Sequence, residues 1–253
     1  MEKIGISKSI KIEELSIKTF NKEILKSIEV SFSLKIKHMK FIGIIVLAFL
    51  MLNCKDEIVI TTGLVEQTES KPTSILIENP TDFYEKLSNA AISIIDPEVV
   101  YTPAYVGIQY PNGDVPAKTG VCTDVVIRAY RKLGIDLQKE VHEDMKANFS
   151  LYPKTWGLKS TDKNIDHRRV PNLEVFFARK GEKLPITQNP KDYKTGDLVT
   201  WLLAGDAIPH IGIVTHIKSS SGNPMLVHNV GSGQVLEDCL LSWKIVGHYR
   251  YGK

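Results

Sequence analysis

The order of the sequence patterns, helical first and strand-like afterwards, most constrains the fold of this chain. Apolar residues at helical spacing predict a helix that begins at Thr81 or Asp82, and further helices over 121–132, 137–149 and 173–179. Runs typical of β-strands follow over 197–203, 211–217, 225–230 and 244–251. These runs are joined by turns, whereas parallel strands need crossover connections of about a dozen residues or more. We therefore expect an α+β fold in which N-terminal helices pack on an antiparallel sheet.

An apolar run near the N-terminus predicts export of the protein. Residues 41–52 form an uninterrupted apolar stretch of twelve residues. A helix that spans a membrane needs about 20, so this stretch is typical of the core of a signal peptide. Lys40 precedes it and Cys54 follows it closely. The arrangement resembles a bacterial lipoprotein signal, in which the cysteine becomes the lipidated first residue of the mature protein. The alternative is that Cys54 is an ordinary residue after a hydrophobic anchor.

The signal divides the chain into a leader (1–53), a polar tether (54–77) and a domain (78–253). The signal fits best when translation starts at Met39, which makes 1–38 an upstream extension. A long basic segment at the start of the signal is the other interpretation. In either case we expect a protein of the bacterial cell envelope, anchored to a membrane through lipid on Cys54 and either periplasmic or surface-exposed.

The basic character of the whole chain comes from its leader. The formal net charge is +3, but residues 1–53 hold 9 of the 32 Lys+Arg and 5 of the 29 Asp+Glu. The remainder has 23 basic and 24 acidic groups, a net charge of −1. This balance gives no support for a nucleic-acid partner. The sequence also lacks paired CxxC motifs of the zinc type and a phosphate-binding glycine motif, so we predict no metal and no cofactor.

Cys122 is the candidate nucleophile. It follows a Thr-Gly turn and begins the predicted helix 121–132, and the partial positive charge of a helix N-terminus favours a thiolate. Two alternatives remain open. Cys122 is either a buried structural cysteine or the disulfide partner of Cys239, since an exported protein meets oxidising conditions.

Two histidines in strand-like runs are candidates for the base and its orienting partner. His210 stands at the start of a predicted strand, with Gly212 two positions along leaving room above the same face. His228 lies on the following strand, where it can accept the second ring proton of His210. Asn229 competes for that role, and because neighbours on a strand face opposite sides, only one of the two can point at His210.

A long polar loop over 153–171 supplies further candidates. It carries Asp166, His167, Arg168 and Arg169 in succession. The two guanidinium groups are suited to binding a carboxylate of a substrate. The alternative is a loop held by solvent and local salt bridges.

Several stretches of the domain resemble the bacterial DUF1287 family, a domain of unknown function. They are YPNGDVPAKTGVCTDVVIRAYRKLGIDLQ, NIDHRRVPNLEVFFAR, GDLVTW with PHIGIV, and GHYRY, and the resemblance extends over about residues 80–252. That family in turn resembles the papain-like NlpC/P60 cell-wall peptidases. The resemblance implies a papain-like domain with the nucleophile at a helix start.

The same resemblance implies roles for individual residues. The Asp-Cys-Ser-Gly segment of NlpC/P60 enzymes corresponds to Val121-Cys122-Thr123-Asp124, without the first Asp and the Ser-Gly. The His-Val-Gly-Ile strand corresponds to the segment that begins at His210, and the third catalytic residue corresponds to His228. An upstream tyrosine that contributes to the oxyanion site corresponds to Tyr110. We group it with the remaining candidates for substrate contacts, which are Asp124, Arg168 and Arg169.

The combined expectation is a lipid-anchored cysteine hydrolase that cleaves an amide or peptide bond, in peptidoglycan peptides, with Cys122, His210 and His228 as catalytic residues. Two alternatives use the same cleft: a non-catalytic envelope protein that binds wall peptides or a partner, and a thiol acyltransferase.

Overall fold

The computed structural model of the chain describes residues 75–252. The predicted leader, the lipidation site at Cys54 and nearly all of the tether lie outside these residues. No helix in the described part of the chain is long and apolar enough to span a membrane.

Four helices form the first half of the domain: α1 (Phe83–Ser93), α2 (Cys122–Lys132), α3 (Leu137–Ala147) and α4 (Val170–Lys180). Acidic side chains cap three of them. Asp82 accepts from Glu85 N–H at the start of α1, Asp136 from Lys139 N–H at the start of α3, and Asp124 from Val121 N–H (2.7 Å) at the start of α2. Short 3₁₀ turns occupy Phe149–Leu151, Asp166–Arg168 and Pro190–Asp192.

The strands form one large sheet and one small one. Strands β1 (Val100–Tyr101) and β2 (Thr119–Gly120) make a parallel pair just before α2. The large sheet has the order β3-β8-β4-β5-β6-β7, and every neighbouring pair in it is antiparallel. Its strands are β3 (Glu182–Lys183), β4 (Leu198–Leu203), β5 (Ile208–Lys218), β6 (Pro224–His228), β7 (Val235–Glu237) and β8 (Lys244–Arg250). The predicted α+β fold, with helices on an antiparallel sheet, is confirmed.

Each face of the large sheet contributes to a separate hydrophobic core. On the helix side, Ile211 and Ile213 of β5 pack with Cys122 and Val126 of α2. On the other side, Trp201 of β4 packs with residues of the segment that links β7 to β8, among them Cys239 and Leu240. The Trp201 Nε1–H donates to the Leu240 carbonyl (2.9 Å), which satisfies the polar atom of this buried ring. Side chains alternate along β5, so its odd- and even-numbered residues enter different cores.

Several boundaries differ from those predicted. The helix predicted over 137–149 ends at Ala147 because Asn148 leaves the helical conformation (φ −132°, ψ 38°), and its side-chain amide donates to the Asp144 carbonyl. Helix α4 begins at Val170 rather than 173, with Pro171 in its first turn, where the missing N–H has no cost. Strand β5 extends in both directions beyond 211–217, and β7 was not predicted.

Candidate active site

Cys122 is the first residue of α2 and lines a cleft of about 180 Å³. Tyr101 from β1, Trp156 and Arg169 from the long loop, and Pro209 from β5 line the same cleft. The cleft therefore brings together the predicted nucleophile, both predicted arginines and the residue next to His210. The thiol itself is only 3% exposed.

Burial keeps the thiol of Cys122 protonated. Burial, with a smaller contribution from the Asp124 carboxylate, raises the pKa of Cys122 to about 12. Hydrogen bonding from the backbone N–H of Ile211 and from the first N–H groups of α2 opposes this shift without cancelling it. The thiolate expected from the helix N-terminus is thus not the resting form, and a nucleophilic Cys122 needs a base to take its proton.

The structure brings His210 and His228 together. His210 Nε2 lies 3.0 Å from His228 Nδ1, and His228 Nε2 lies 3.0 Å from Glu237 Oε2. His228, rather than Asn229, is thus the partner of His210, since the Asn229 side chain accepts from Gly231 N–H. Glu237 was missed in the sequence because the three-residue strand that carries it was not predicted.

Two tryptophans enclose the histidine pair. The His210 ring lies 5.7 Å from the ring centroid of Trp201 and 5.9 Å from that of Trp243. Burial lowers the pKa of His210 to about 3, with a further contribution from His228. Burial also lowers the pKa of His228, and the Glu237 carboxylate partly offsets that shift. Both imidazoles are therefore neutral at pH 7.

Gly212 makes space for the histidine pair rather than for a helix. A Cβ at this position would lie 3.2 Å from the Cβ of His228 and 3.3 Å from the Trp201 ring. A side chain at 212 would displace His228 from its position beside His210.

The Cys122 thiol and the His210 ring are located at adjacent residues of β5, on its two faces. Cys122 packs against Ile211 on the helix side, whereas the His210 ring contacts Trp201 and Trp243 on the other side. Among the hydrogen bonds of residues 75–252, none joins the Cys122 thiol to an imidazole, and Nδ1 of His210 has no partner. Nδ1 is the ring nitrogen closer to the peptide that links His210 to Ile211.

Asp124 and Arg168 form a buried ion pair under the cleft. The guanidinium Nε and Nη2 lie 2.9 and 3.0 Å from the two carboxylate oxygens of Asp124, and each side chain is 2% exposed. The Thr123 hydroxyl donates to the Arg168 carbonyl (3.1 Å). These contacts fix the start of α2 against the long loop. Both residues were predicted to contact substrate, but in the structure their charged groups bind each other.

Arg168 and Arg169 both line the cleft, but the Arg168 guanidinium is paired with Asp124. The Arg169 guanidinium carbon lies 4.2 Å from the centroid of the Trp156 ring, in cation–π geometry, and its Nη1 lies 3.5 Å from Asp166 Oδ1. His167 is buried, and burial lowers its pKa to about 3. Of the two predicted arginines, Arg169 is therefore the one whose guanidinium is not bound to Asp124.

The tyrosine in the cleft is Tyr101, not Tyr110. Tyr110 packs edge-on to His142, at 5.3 Å between ring centroids, and lies below Lys163. Tyr101 lines the cleft with Cys122, and burial together with the nearby thiol raises its pKa, so its hydroxyl is a hydrogen-bond donor. The family resemblance pointed to Tyr110, and Tyr101 was not singled out in the sequence.

Cys239 is not paired with Cys122. Both are free thiols and they belong to different cores. Cys239 Sγ lies 3.5 Å from His228 Nε2. In the part of the chain that the structure describes, no group of three or more His, Cys, Asp or Glu side chains is arranged to hold a metal ion.

The fold and cleft define an α+β domain with a thiol at a helix start and a histidine pair on the opposite face of the adjacent strand β5. The DUF1287 family, described as a domain of unknown function, matches residues 88–251, and the chain belongs to this family. The uncharacterized protein YijF of Escherichia coli is 48% identical over 180 residues, which are 71% of this chain and 86% of that protein.

Similar solved structures share far less sequence. An N-acetylmuramoyl-L-alanine amidase from Bacteroides uniformis is 14% identical with a TM-score of 0.40, covering 67% of this chain and 99% of the other. NlpC2 from Trichomonas vaginalis is 16% identical with a TM-score of 0.36, covering 69% of this chain and about half (49%) of the other.

Proposed function

We propose that this protein is a cysteine hydrolase of the bacterial cell envelope that cleaves an amide or peptide bond in peptidoglycan peptides. The observation that carries the proposal is the shared end of β5: Cys122 contacts Ile211 and lines a cleft with Pro209, and His210 stands between those two residues. The nucleophile is thus in contact with, and the neutral base attached to, neighbouring residues of one strand, on its two faces.

In the proposed reaction, His210 Nδ1 takes the proton of the Cys122 thiol while the sulfur attacks the carbonyl carbon of the substrate. His210 then gives this proton to the leaving amine, and the acyl-enzyme is hydrolysed by a water that His210 deprotonates. A resting thiol with a pKa of about 12 requires this transfer to accompany attack, since little thiolate exists beforehand.

The donors near the thiol are suited to the negative oxygen that forms during attack. The backbone N–H groups of Cys122 and Ile211 lie beside the sulfur, and the Tyr101 hydroxyl lines the cleft. Hydrogen-bond donors at such a position are worth about 3 kcal/mol each in acyl transfer. Arg169 would bind a carboxylate of the peptide, since its planar guanidinium presents paired donors.

Anchoring through Cys54 is part of the proposal. A lipid on Cys54, with residues 55–77 as a tether, would hold the domain at a membrane surface and within reach of peptidoglycan.

The test is mass spectrometry of purified muropeptides after incubation with the full-length protein in detergent. We expect the wild type to release products shorter by an amino acid or peptide, and Cys122→Ser to release none, at an unchanged melting temperature. Products at equal rates from both proteins would refute the proposal.

The buried, protonated thiol favours a second candidate, a non-catalytic protein that binds wall peptides in the same cleft. That candidate predicts that wild type and Cys122→Ser bind muropeptides with the same affinity and that neither yields products.

A further inference from the structure

Glu237 is a fourth polar residue in line with the predicted catalytic histidines. It ends the short strand β7, which pairs with β6 so that Leu226 is opposite Glu237. His228 is two residues further along β6, and diagonal neighbours of this kind are within reach of long side chains. The Glu237 side chain is 45% exposed, whereas His228 is fully buried. The carboxylate thus connects the buried pair to the surface.

The carboxylate determines where the protons of both imidazoles reside. An ionised carboxylate only accepts hydrogen bonds, so His228 Nε2, 3.0 Å away, must carry a proton. His228 is neutral, so its Nδ1 carries a lone pair. That lone pair accepts a proton from His210 Nε2, which is 3.0 Å away. Neutral His210 is then left with a lone pair on Nδ1, the nitrogen that has no partner among residues 75–252.

The opposite placement of protons on the two rings would prevent His210 from acting as a base. If His228 carried its proton on Nδ1, it would donate to His210 Nε2, and the single proton of neutral His210 would reside on Nδ1. Nδ1 could not then take a proton from the thiol of Cys122. The two arrangements contain the same number of hydrogen bonds between the rings, so an outside group must select one.

The other groups around His228 cannot make this selection. Cys239 Sγ, at 3.5 Å from Nε2, is both a weak donor and a weak acceptor. Trp243 presents only its ring face or edge, and the Trp201 N–H is already bonded to Leu240. Glu237 is the one ionised group with a hydrogen bond to either imidazole in the described part of the chain.

We propose that Glu237 is a positioning residue whose carboxylate holds His228 protonated on Nε2 and His210 protonated on Nε2, so that His210 presents the lone pair of Nδ1 to Cys122. The catalytic use of this arrangement rests on the proposed function, whereas the placement of the ring protons rests on the hydrogen-bond geometry. When His210 takes the thiol proton, the imidazolium donates Nε2–H to His228, and the carboxylate stabilises the new charge through that ring.

The direct test is the protonation of the four ring nitrogens, measured by long-range ¹H–¹⁵N NMR on the full-length protein at pH 7. In the wild type, we expect His210 and His228 both to carry their proton on Nε2. Glu237→Leu removes the acceptor at similar volume and should give a mixture of the two arrangements. Cys239→Ala should keep the wild-type pattern. A wild-type His210 protonated on Nδ1, or a Glu237→Leu spectrum identical to that of the wild type, would overturn the assignment.

Kinetics give the second readout. Glu237→Leu should lower kcat about 10- to 100-fold with little change in KM, as is typical when the partner of a functional histidine is lost. The kcat of Glu237→Gln, which retains an oxygen acceptor, should lie between those of the wild type and Glu237→Leu. Asp238→Asn is the matched control, since this neighbouring carboxylate bonds Ser221 and Asn223 and no imidazole. Equal kcat values for wild type and Glu237→Leu would contradict the positioning role.

The two proposals fail differently. An inactive wild type with the expected ring protonation would refute the hydrolase and leave the role of Glu237 in fixing the protons intact. An active wild type whose protonation and kcat do not respond to Glu237→Leu would refute the positioning role alone. Glu237→Gln keeps the test available should the leucine variant fail to fold.

Discussion

Two histidine–carboxylate pairs on the same sheet differ in whether all of their ring nitrogens have hydrogen-bond partners. His248 on β8 lies between Asp197 (2.7 Å) and the Pro185 carbonyl (2.9 Å), so that both of its ring nitrogens face acceptors. Asp197 also accepts from Arg250 and from Lys194 N–H and is completely buried. His228 has Glu237 on one nitrogen and His210 on the other, and the series ends at a nitrogen of His210 that has no partner in the described part of the chain.

This difference distinguishes a histidine–carboxylate pair with a structural role from one that is able to transfer a proton. Every polar atom of the His248 pair has a fixed partner, so a proton cannot leave it without breaking a buried bond. The His228 pair leads to His210 Nδ1, which has no hydrogen-bond partner among residues 75–252. The partners of the ring nitrogens therefore distinguish the two pairs, although both consist of an imidazole and a carboxylate.

Removing the two carboxylates should lower the free energy of unfolding by unequal amounts, with the largest expected effect at Asp197. Asp197→Ala leaves Arg250 and His248 without their buried partner and should lower the free energy of unfolding by about 3–5 kcal/mol. Glu237→Ala removes a half-exposed carboxylate and should cost about 1 kcal/mol or less. Urea unfolding at pH 7 measures both. Equal losses in the two variants would show that the pairs do not differ as described.

Replacing histidines at the two ends of β5 tests the same distinction through activity. His210→Gln should lower kcat/KM about a hundredfold or more, or about 3 kcal/mol, because a positioned base is lost. His216→Gln is the matched control: that ring is bonded to the Ser88 hydroxyl and the Ile75 carbonyl, at the far end of the strand. Muropeptide cleavage assays should show His216→Gln close to the wild type. A His210→Gln enzyme of wild-type activity would exclude His210 as the base.

Acid should destabilise the protein through His210. Its pKa is lowered in the fold to about 3, against about 6.5 in the unfolded chain. The stabilisation is fully present above pH 6.5 and is lost as the pH falls from 6.5 towards 3. Between pH 7 and pH 5, this group alone should account for about 2 kcal/mol of lost unfolding free energy. The free energy of unfolding of His210→Gln should fall less over that interval. If the free energies of the wild type and His210→Gln fell in parallel with pH, the lowered pKa of His210 would be contradicted.

The sequence patterns predicted the fold well where an element is long enough to repeat its pattern. Helix α2 and strand β4 lie within one residue of their predicted bounds, since buried apolar residues recur at their characteristic spacing. The three-residue strand β7 was missed, because such a strand is too short for alternation to be visible. Glu237, which lies on it, was missed with it.

The sequence by itself determined the helix-then-sheet order, the position of Cys122 at a helix start and the choice of His210 and His228, because each depends on local patterns. Only the tertiary structure decided that Arg168 is used by Asp124, that Tyr101 rather than Tyr110 lines the cleft and that Glu237 completes the histidine series. It also decided that Cys122 rests as a protonated thiol. The helix N-terminus that favours the thiolate is a local feature, whereas the burial that outweighs it comes from the packing of α2 against β5.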